Sequence, residues 1–339
     1  MKAAVLERRG ADGLSWREFP DPAPKPGESI LKIAASSLNR VDLYMRDNGA
    51  GITHTLPQVL GVEAAGEIVE TEPDSGLRKG AKAILYSVAF CGKCRYCETG
   101  DQPLCVSARL MGEHRHGGFA EYVAMPNRCF FELPDEADLA SAGSLMVGHL
   151  TAWRMIFGKR ALQPGESVLI VGIGGGVAVA CLQLARLVGA RVYVTSSSDA
   201  KIARAMSLGA SGGVNYTRDP VSSCILELSG GGVDMVIDSV GQSSWGESLK
   251  SLRRGGRIVT CGATSGSNPS ADLQRLFIRQ LEVYGSTGGS AGEFRQLLDV
   301  FNRGLIKPVT DETFKMADIR SACDRLAAGS QFGKISLQT

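Results

Sequence analysis

Residues 167–190, SVLIVGIGGGVAVACLQLARLVGA, followed by RVYVTSSS at 191–198, decide the fold. Val168–Val171 is an apolar run of strand length. Gly172-Ile173-Gly174-Gly175-Gly176-Val177-Ala178 is a glycine-rich turn, and apolar residues then recur at helical spacing to about Val188. With RVYVTSSS as the second strand, this is one βαβ unit. In such a unit glycine lets backbone amides approach a pyrophosphate, and the helix N-terminus offers partial positive charge. Gly172, Gly174, Gly175, Gly176 and Val177 therefore form a candidate phosphate turn, with a tight turn in an ordinary βα connection as the plain alternative. An NAD-binding unit usually ends its second strand on Asp or Glu, which accepts from the ribose 2′-OH. Here Thr195-Ser196-Ser197-Ser198 stands at that point, with Asp199 and Lys201 next. Hydroxyls and a lysine suit a 2′-phosphate, so NADP(H) is expected over NAD(H), with Asp199 as the argument for the latter.

Outward from this unit the texture stays alternating. RVYVTSS leads to DAKIARAMSLGA, and VDMVIDSVG to SSWGESLKSLRRGG, RIVTCGA and LEVYGST, the pattern of a doubly wound parallel sheet. Before about Leu139 the chain reads differently. AAVL, ILKIAASSL, VLGVEAAGEIVE, KAILYSV and FAEYVAMP are short β-like runs between turn signals, as in an antiparallel, barrel-like domain. The last fifty residues carry helix, a Pro-containing loop and the strand KISLQ, which can return to that first domain. Two domains suit 339 residues.

Composition excludes several classes. With 44% apolar and 21% charged residues the chain is neither disordered nor membrane-spanning, and 37 Lys+Arg against 35 Asp+Glu give no electrostatic reason for a nucleic acid or anionic membrane partner. The start, MKAAVLERRG, builds no secretory apolar core, so a cytoplasmic protein is expected. The 42 glycines, about 12% against ~7% in an average chain, imply many tight turns.

Four of the nine cysteines fall in Cys91-Gly-Lys-Cys94-Arg-Tyr-Cys97-(x7)-Cys105. Soft thiolates on short loops can wrap one tetrahedral Zn²⁺, and four Cys leave no open position for water, so the expected zinc is structural. A redox Cys-x-x-Cys pair and a [4Fe–4S] cluster are the alternatives; no Pro follows the last Cys.

Taken together, these features resemble the medium-chain dehydrogenase/reductase superfamily of zinc-binding, alcohol dehydrogenase-like proteins over essentially the whole chain. The resemblance implies an α/β protein with a GroES-like β-barrel-type catalytic domain over 1–148 and 289–339, carrying a structural zinc lobe at 91–105, and a Rossmann domain over 149–288. The alcohol dehydrogenase branch holds a catalytic zinc on three ligands. In this sequence Asn39 stands where that branch has Cys, Gly61-Val62-Glu63 where it has Gly-His-Glu, and Val147 near its third ligand. The same segments look like the quinone oxidoreductase branch, with Asn39 and the run Asp42-x-Tyr44-x-Arg46, although many such reductases lack the four-Cys lobe. That branch's A-x-x-G-x-x-G pattern maps on Gly172-x-x-Gly175-x-x-Ala178. By the same resemblance Lys201 and Tyr216 contact the 2′-phosphate, Ser197 lies on the adjoining loop, and Gly262, Ala263, Thr264, Ser286, Thr287 and Lys334 are further cofactor contacts.

The function so implied is hydride transfer from NADPH to a quinone or α,β-unsaturated carbonyl without a catalytic zinc. Asn39 and Tyr44 would donate to the developing oxyanion, with Arg46 as an electrostatic helper. Asp42 reads equally as a proton donor or as a capping or ion-pair partner. His114 and His116 read as a loop and not a chelate, and His149 either faces the nicotinamide or packs at a helix start. Two other functions stay open: an alcohol or aldehyde dehydrogenase with a zinc elsewhere, and a non-catalytic, crystallin-like nucleotide- or RNA-binding protein. A homodimer or tetramer is expected from the resemblance.

Overall fold

The computed structural model describes residues 1–47, 52–53 and 55–339. Among them the chain forms two compact units, Met1–Leu150 with Gly289–Thr339, and Thr151–Gly288. The first boundary falls two residues beyond the one read from the sequence, within the helix Met146–Trp153.

The contiguous unit is built on six strands: β1 (Ser167–Ile170), β2 (Arg191–Ser196), β3 (Gly212–Asn215), β4 (Val233–Asp238), β5 (Leu252–Thr260) and β6 (Glu282–Gly285). Their order is β3-β2-β1-β4-β5-β6 and every pairing is parallel. All four residues of β1 are buried, which is why SVLI shows no alternation: a central parallel strand is covered on both faces. Strand order reverses between β1 and β4. In doubly wound sheets, ligands bind outside the carboxyl ends of the strands at such a point. Helix α1 (Gly176–Leu187) joins β1 to β2, and α2 (Asp199–Ser207) joins β2 to β3.

One buried charge braces this unit. Arg257 on β5 is the largest fully buried side chain among the described residues. Its Nε donates to the Arg160 carbonyl at 3.0 Å, Nη1 and Nη2 to the two Glu166 oxygens at 3.1 and 2.5 Å, and Nη2 also to the Ala161 carbonyl at 3.2 Å. The bidentate geometry is what makes a buried guanidinium tolerable.

The split unit is almost wholly antiparallel. Its long strand Glu28–Leu38 pairs with Ala65–Glu70, Tyr122–Pro126 and the C-terminal strand Lys334–Gln338. Lys82–Leu85 and Phe130–Glu132 extend the sheet on one side, and Thr310–Lys315, parallel to the C-terminal strand, on the other. A three-stranded sheet adds Lys2–Leu6, Leu14–Glu18 and Gln58–Val59. Leu31, Ile33, Leu38, Met45, Val62, Phe119, Ile335 and Leu337 share one core, so the late residues complete the hydrophobic interior begun by the early ones. The sequence expectation of a doubly wound parallel sheet and a barrel-like β-unit holds. No helix among the described residues is long and apolar enough to cross a membrane.

Arg257→Ala leaves the Glu166 carboxylate without its partner in a mostly buried place. Its expected cost is about 3 kcal/mol, read as a lower urea midpoint at unchanged slope; a loss below about 0.5 kcal/mol would contradict this account of the brace.

Candidate functional site

The glycine turn bends because its residues permit it. Gly172 has φ +74° and Gly174 φ +124°, regions closed to most side chains. The Gly172 N–H donates to Thr195 Oγ1 at 3.1 Å, tying the turn to β2. Gly175 is the N-cap of α1, where Gly176 and Val177 open the helix, and no side chain caps that end. By contrast, Ser198 caps α2 by accepting from the Lys201 N–H. The first amides of α1 are thus available to an anion, which fits the pyrophosphate of a dinucleotide. A cavity of about 450 Å³ lined by Gly172, Thr195, Tyr216, Val221, Val240 and Ser244 lies beside the turn. Asp238 at the end of β4, a residue the sequence reading passed over, shapes its wall. It accepts from the N–H groups of Val240 and Gly241 and from the hydroxyls of Ser244 and Ser248, all within 2.9 Å.

Beyond β2, Ser196 is buried and its hydroxyl accepts from the Ser198 N–H; Ser197 and Tyr216 are exposed, and Lys201 sits in the first turn of α2. Asp199 is exposed, and one of its two oxygens is engaged. Its Oδ1 accepts from Asn215 Nδ2 at 2.9 Å and Arg218 Nη2 at 2.8 Å. Gly262, Ala263 and Thr264 follow β5, and Ser286 and Thr287 follow β6, at the carboxyl ends of these strands.

Cys91, Cys94, Cys97 and Cys105 have all four Sγ atoms within 4.8 Å of one another. A tetrahedron with Zn–S of ~2.3 Å has edges of ~3.8 Å, and the Cys91–Cys97 and Cys94–Cys97 separations are 3.9 and 3.6 Å. The four residues fit zinc. Backbone N–H groups of Cys97 and Val106 draw the Cys94 thiol down to about 6, while burial pushes Cys97 up to about 12. Four thiolates so close repel one another, and a cation among them removes that penalty.

The third site lies in the split unit, and only part of it was foreseen. Lys334 opens the C-terminal strand, whose register (Ile335 opposite Leu38) carries the lysine to Asn39 at the end of the long strand. Its Nζ donates to Glu63 Oε1 at 2.7 Å, Asn39 Oδ1 at 2.5 Å and the Leu38 carbonyl at 3.2 Å. Lys334 was expected to touch the cofactor; instead it is 3% exposed and all three of its N–H donors are used inside this unit. Glu63 Oε1 also accepts from Asn39 Nδ2 at 2.5 Å and Ser37 Oγ at 3.0 Å, whereas Oε2, equally buried, has no hydrogen-bond partner. The second Asn39 N–H goes to the Ser37 carbonyl at 3.2 Å. With both amide hydrogens given to protein, Asn39 in this arrangement is a strut and not an oxyanion donor.

Asn39 precedes the short helix Arg40–Asp47, and Asp42 Oδ2 accepts from its backbone N–H at 2.8 Å. The capping reading of Asp42 is therefore realised, yet its Oδ1 is buried and unpartnered. Burial lifts the Asp42 carboxyl to about 7, with the Asn39 N–H and Lys334 pulling it back and Glu63 adding to the rise. Tyr44 and Arg46 do not join this cluster. At ~100° per residue Tyr44 lies on the far side of the helix from Asp42 and is 38% exposed, while Arg46 gives Nε and Nη2 to Asp47, 2.7 and 3.1 Å away. Val62 and Val147 pack against the apolar core. Asn39, Val62 and Val147 therefore offer no ligand set for a catalytic metal, and among the described residues the four cysteines form the one group of three or more suited to a metal ion.

The histidines are engaged singly. His114 Nδ1 accepts from the Leu110 N–H and His116 Nδ1 from the Val59 N–H; His149 is buried in its helix, and His54 lies outside the described residues. Glu63 and Lys334 were the missed pair. A lone Glu in the apolar run VLGVEAAG needs a buried partner, but nothing near it says which.

Comparison with known proteins follows this geometry. The alcohol dehydrogenase GroES-like domain profile matches residues 25–135, and the zinc-binding dehydrogenase profile matches 176–303. An alcohol dehydrogenase of Geobacillus stearothermophilus is 30% identical, with 100% of this chain and 99% of the relative aligned. An acryloyl-coenzyme A reductase of Metallosphaera sedula is 31% identical over all of both chains. The crystal structure of an NAD-dependent alcohol dehydrogenase superposes with a TM-score of 0.95 at 34% identity, covering all of both chains.

Protein purified without added metal is expected to hold about one zinc per chain, and Cys97→Ser to lose it and melt at lower temperature; elemental analysis showing none in the parent contradicts the centre. Asp42 gives a pH signature. Its folded value is raised from 3.8 to about 7, so between these the unfolded chain releases a proton that the folded one keeps. Stability therefore falls as pH rises through that window and stays lower above it. Asp42→Asn lacks this loss and should gain on the parent between about pH 4 and pH 8 by on the order of 1–4 kcal/mol in urea unfolding; a pH-independent difference would overturn the assignment.

Proposed function

This chain belongs to the zinc-binding, GroES-like alcohol dehydrogenase family, and from that premise we propose that it reduces quinones or α,β-unsaturated carbonyl compounds with NADPH and without a catalytic zinc. It is an NAD(P)-dependent oxidoreductase of that family; the electron donor, the acceptor class and the metal-free site are the reading argued here. The observation that carries it is the cluster of Lys334, Glu63 and Asn39, which joins a buried ammonium to the residue standing for one zinc ligand, while Val62 and Val147 stand for the others. An unactivated alcohol needs a Lewis acid to acidify it, whereas a quinone or conjugated carbonyl is already electron-poor. The name of the acryloyl-coenzyme A reductase favours an enoyl thioester within that class.

When bound, NADPH supplies the hydride. The chain's own residues would orient it: the uncapped amides of α1 would receive the pyrophosphate, and Ser197, Lys201 and Tyr216 would hold the 2′-phosphate. Arg218, paired with one oxygen of Asp199, would add positive charge beside them. In the split unit the Asp42 carboxyl, with Oδ2 committed to the Asn39 N–H, holds its proton on Oδ1 near neutral pH. A second copy of the chain is proposed to cover the free edge of β6 and the exposed Leu273, Phe277 and Ile278 of the preceding helix. The near-neutral charge argues against a nucleic-acid binder.

A panel of a quinone, an α,β-unsaturated ketone, an enoyl-coenzyme A thioester and a simple alcohol tests the reading. With NADPH at least one of the first three should turn over, NADH should serve less well, and the alcohol with NADP⁺ should not react. Alcohol oxidation dependent on a second zinc would replace this function by the dehydrogenase reading, and NADPH binding without any turnover would favour the non-catalytic one.

A further inference from the structure

Three oxygens, from Glu63, Asn39 and Leu38, converge on one buried point, and the group they surround is an ammonium. We propose that Lys334 is the resident cation of this site, taking the place of a metal ion, and that it is the positioning residue through which Glu63 and Asn39 govern the proton on Asp42. The claim goes beyond the choice of acceptor, although its catalytic meaning rests on the metal-free reading above.

The geometry supports each part. All three N–H donors of Lys334 are used, so the ammonium is held at one place by strand register as well as by charge. A divalent ion entering the same oxygens would have to displace it or sit against it, and two adjacent cations repel in a buried setting. Glu63 pairs directly with this single positive charge, and Asp42 is joined to the cluster through Asn39, whose side chain bonds Glu63 and Lys334 and whose backbone N–H bonds Asp42. Glu63 directs one oxygen to three donors and so takes most of the pairing. Asp42 is left buried, with the Asn39 N–H on Oδ2 and, besides it, only the Val62 N–H nearby, surroundings in which burial outweighs the donors and the carboxyl keeps a proton.

The groups around Asp42 are few. Lys334 faces it from the C-terminal strand and Glu63 from the segment before Ala65–Glu70. Cys323 faces it from the helix Ile319–Ala327, and burial raises that thiol to about 12, so it stays neutral. Arg46 on Asp42's own helix is turned to Asp47, with Asp324 3.9 Å from its Nη1. Burial and the Asn39 N–H set most of the balance at Asp42; its charge-dependent part comes from one cation and one anion, and removing either should move it in opposite directions.

Infrared difference titration of the whole protein reads this directly, with the carboxyl band that vanishes in Asp42→Asn taken as the Asp42 signal. The parent midpoint is expected near neutral pH. Lys334→Met should raise it by roughly one pH unit or more, Glu63→Gln should lower it by roughly as much, and Lys334→Arg should restore it towards the parent. A role in packing alone would change melting temperature without these opposed shifts. Midpoints that stay fixed, or that move the same way in both variants, overturn the proposal. Should Lys334→Met not fold, Glu63→Gln decides: a lowered midpoint supports the proposal, and an unmoved or raised one overturns it. Parent protein incubated with excess zinc and desalted should still carry one zinc per chain. A second retained zinc overturns both this inference and the metal-free function, whereas one zinc with unmoved midpoints overturns the inference alone.

Discussion

A buried charge must be answered by another, and in the split unit that requirement falls on Lys334 and Glu63. The pair is 271 residues apart in sequence, and both side chains are at most 3% exposed. Breaking such a pair by removing one partner costs far more than its net contribution to stability. The C-terminal strand must therefore lie where its register puts Lys334 opposite the end of Glu28–Leu38, and that strand in turn carries Ile335 and Leu337 into the core. Core, sheet order and polar cluster are three consequences of one placement.

The two units solve different problems. The contiguous one builds an anion site out of backbone: positive-φ glycines, an uncapped helix and a loop pinned by Asp238, with side chains entering only to choose between dinucleotides. The split one builds a site out of side chains, and it does so where relatives of the alcohol dehydrogenase branch are expected to place a metal. A fixed ammonium and a metal ion differ in one respect that matters chemically. Both localise positive charge, but only a metal offers an open coordination position to an oxygen. A site held by an ammonium whose donors are all used can tune protons and hold side chains still, but it offers no such position.

What the sequence disclosed follows from distance along the chain. The glycine turn and its two strands span some thirty residues and the cysteine cluster fifteen, so their partners are visible beside them; both fold units could be anticipated from such local signals. Asn39 and Asp42 were noticed for their positions, and the short spacing between them suffices for the cap. Lys334 and Glu63 were not connected, because a register between strands far apart in sequence leaves no local pattern. Tyr44 and Arg46 were grouped with Asn39 through the resemblance, on the run Asp42-x-Tyr44-x-Arg46. Eight residues of helix disperse them around its circumference, and phase within so short a helix is invisible until its buried face is known. Arg257 is the same lesson in the other unit: within GGRIVT it looks like an exposed strand start, and only the bidentate Glu166 explains its burial.

The division of the split unit also imposes an order of events during synthesis. Residues up to Leu150 leave the ribosome long before Lys334 does, separated by the entire contiguous unit. At ordinary elongation rates the interval is roughly ten to forty seconds. Throughout it Glu63 has no ammonium to meet, so the early strands cannot close over it without stranding an anion in an apolar interior. The contiguous unit is free to fold meanwhile, since its sheet needs nothing from outside Thr151–Gly288. The late arrival of Lys334 therefore bears on chain completion: a product that stops short of residue 334 lacks both the ammonium that answers Glu63 and the strand that pairs with Glu28–Leu38.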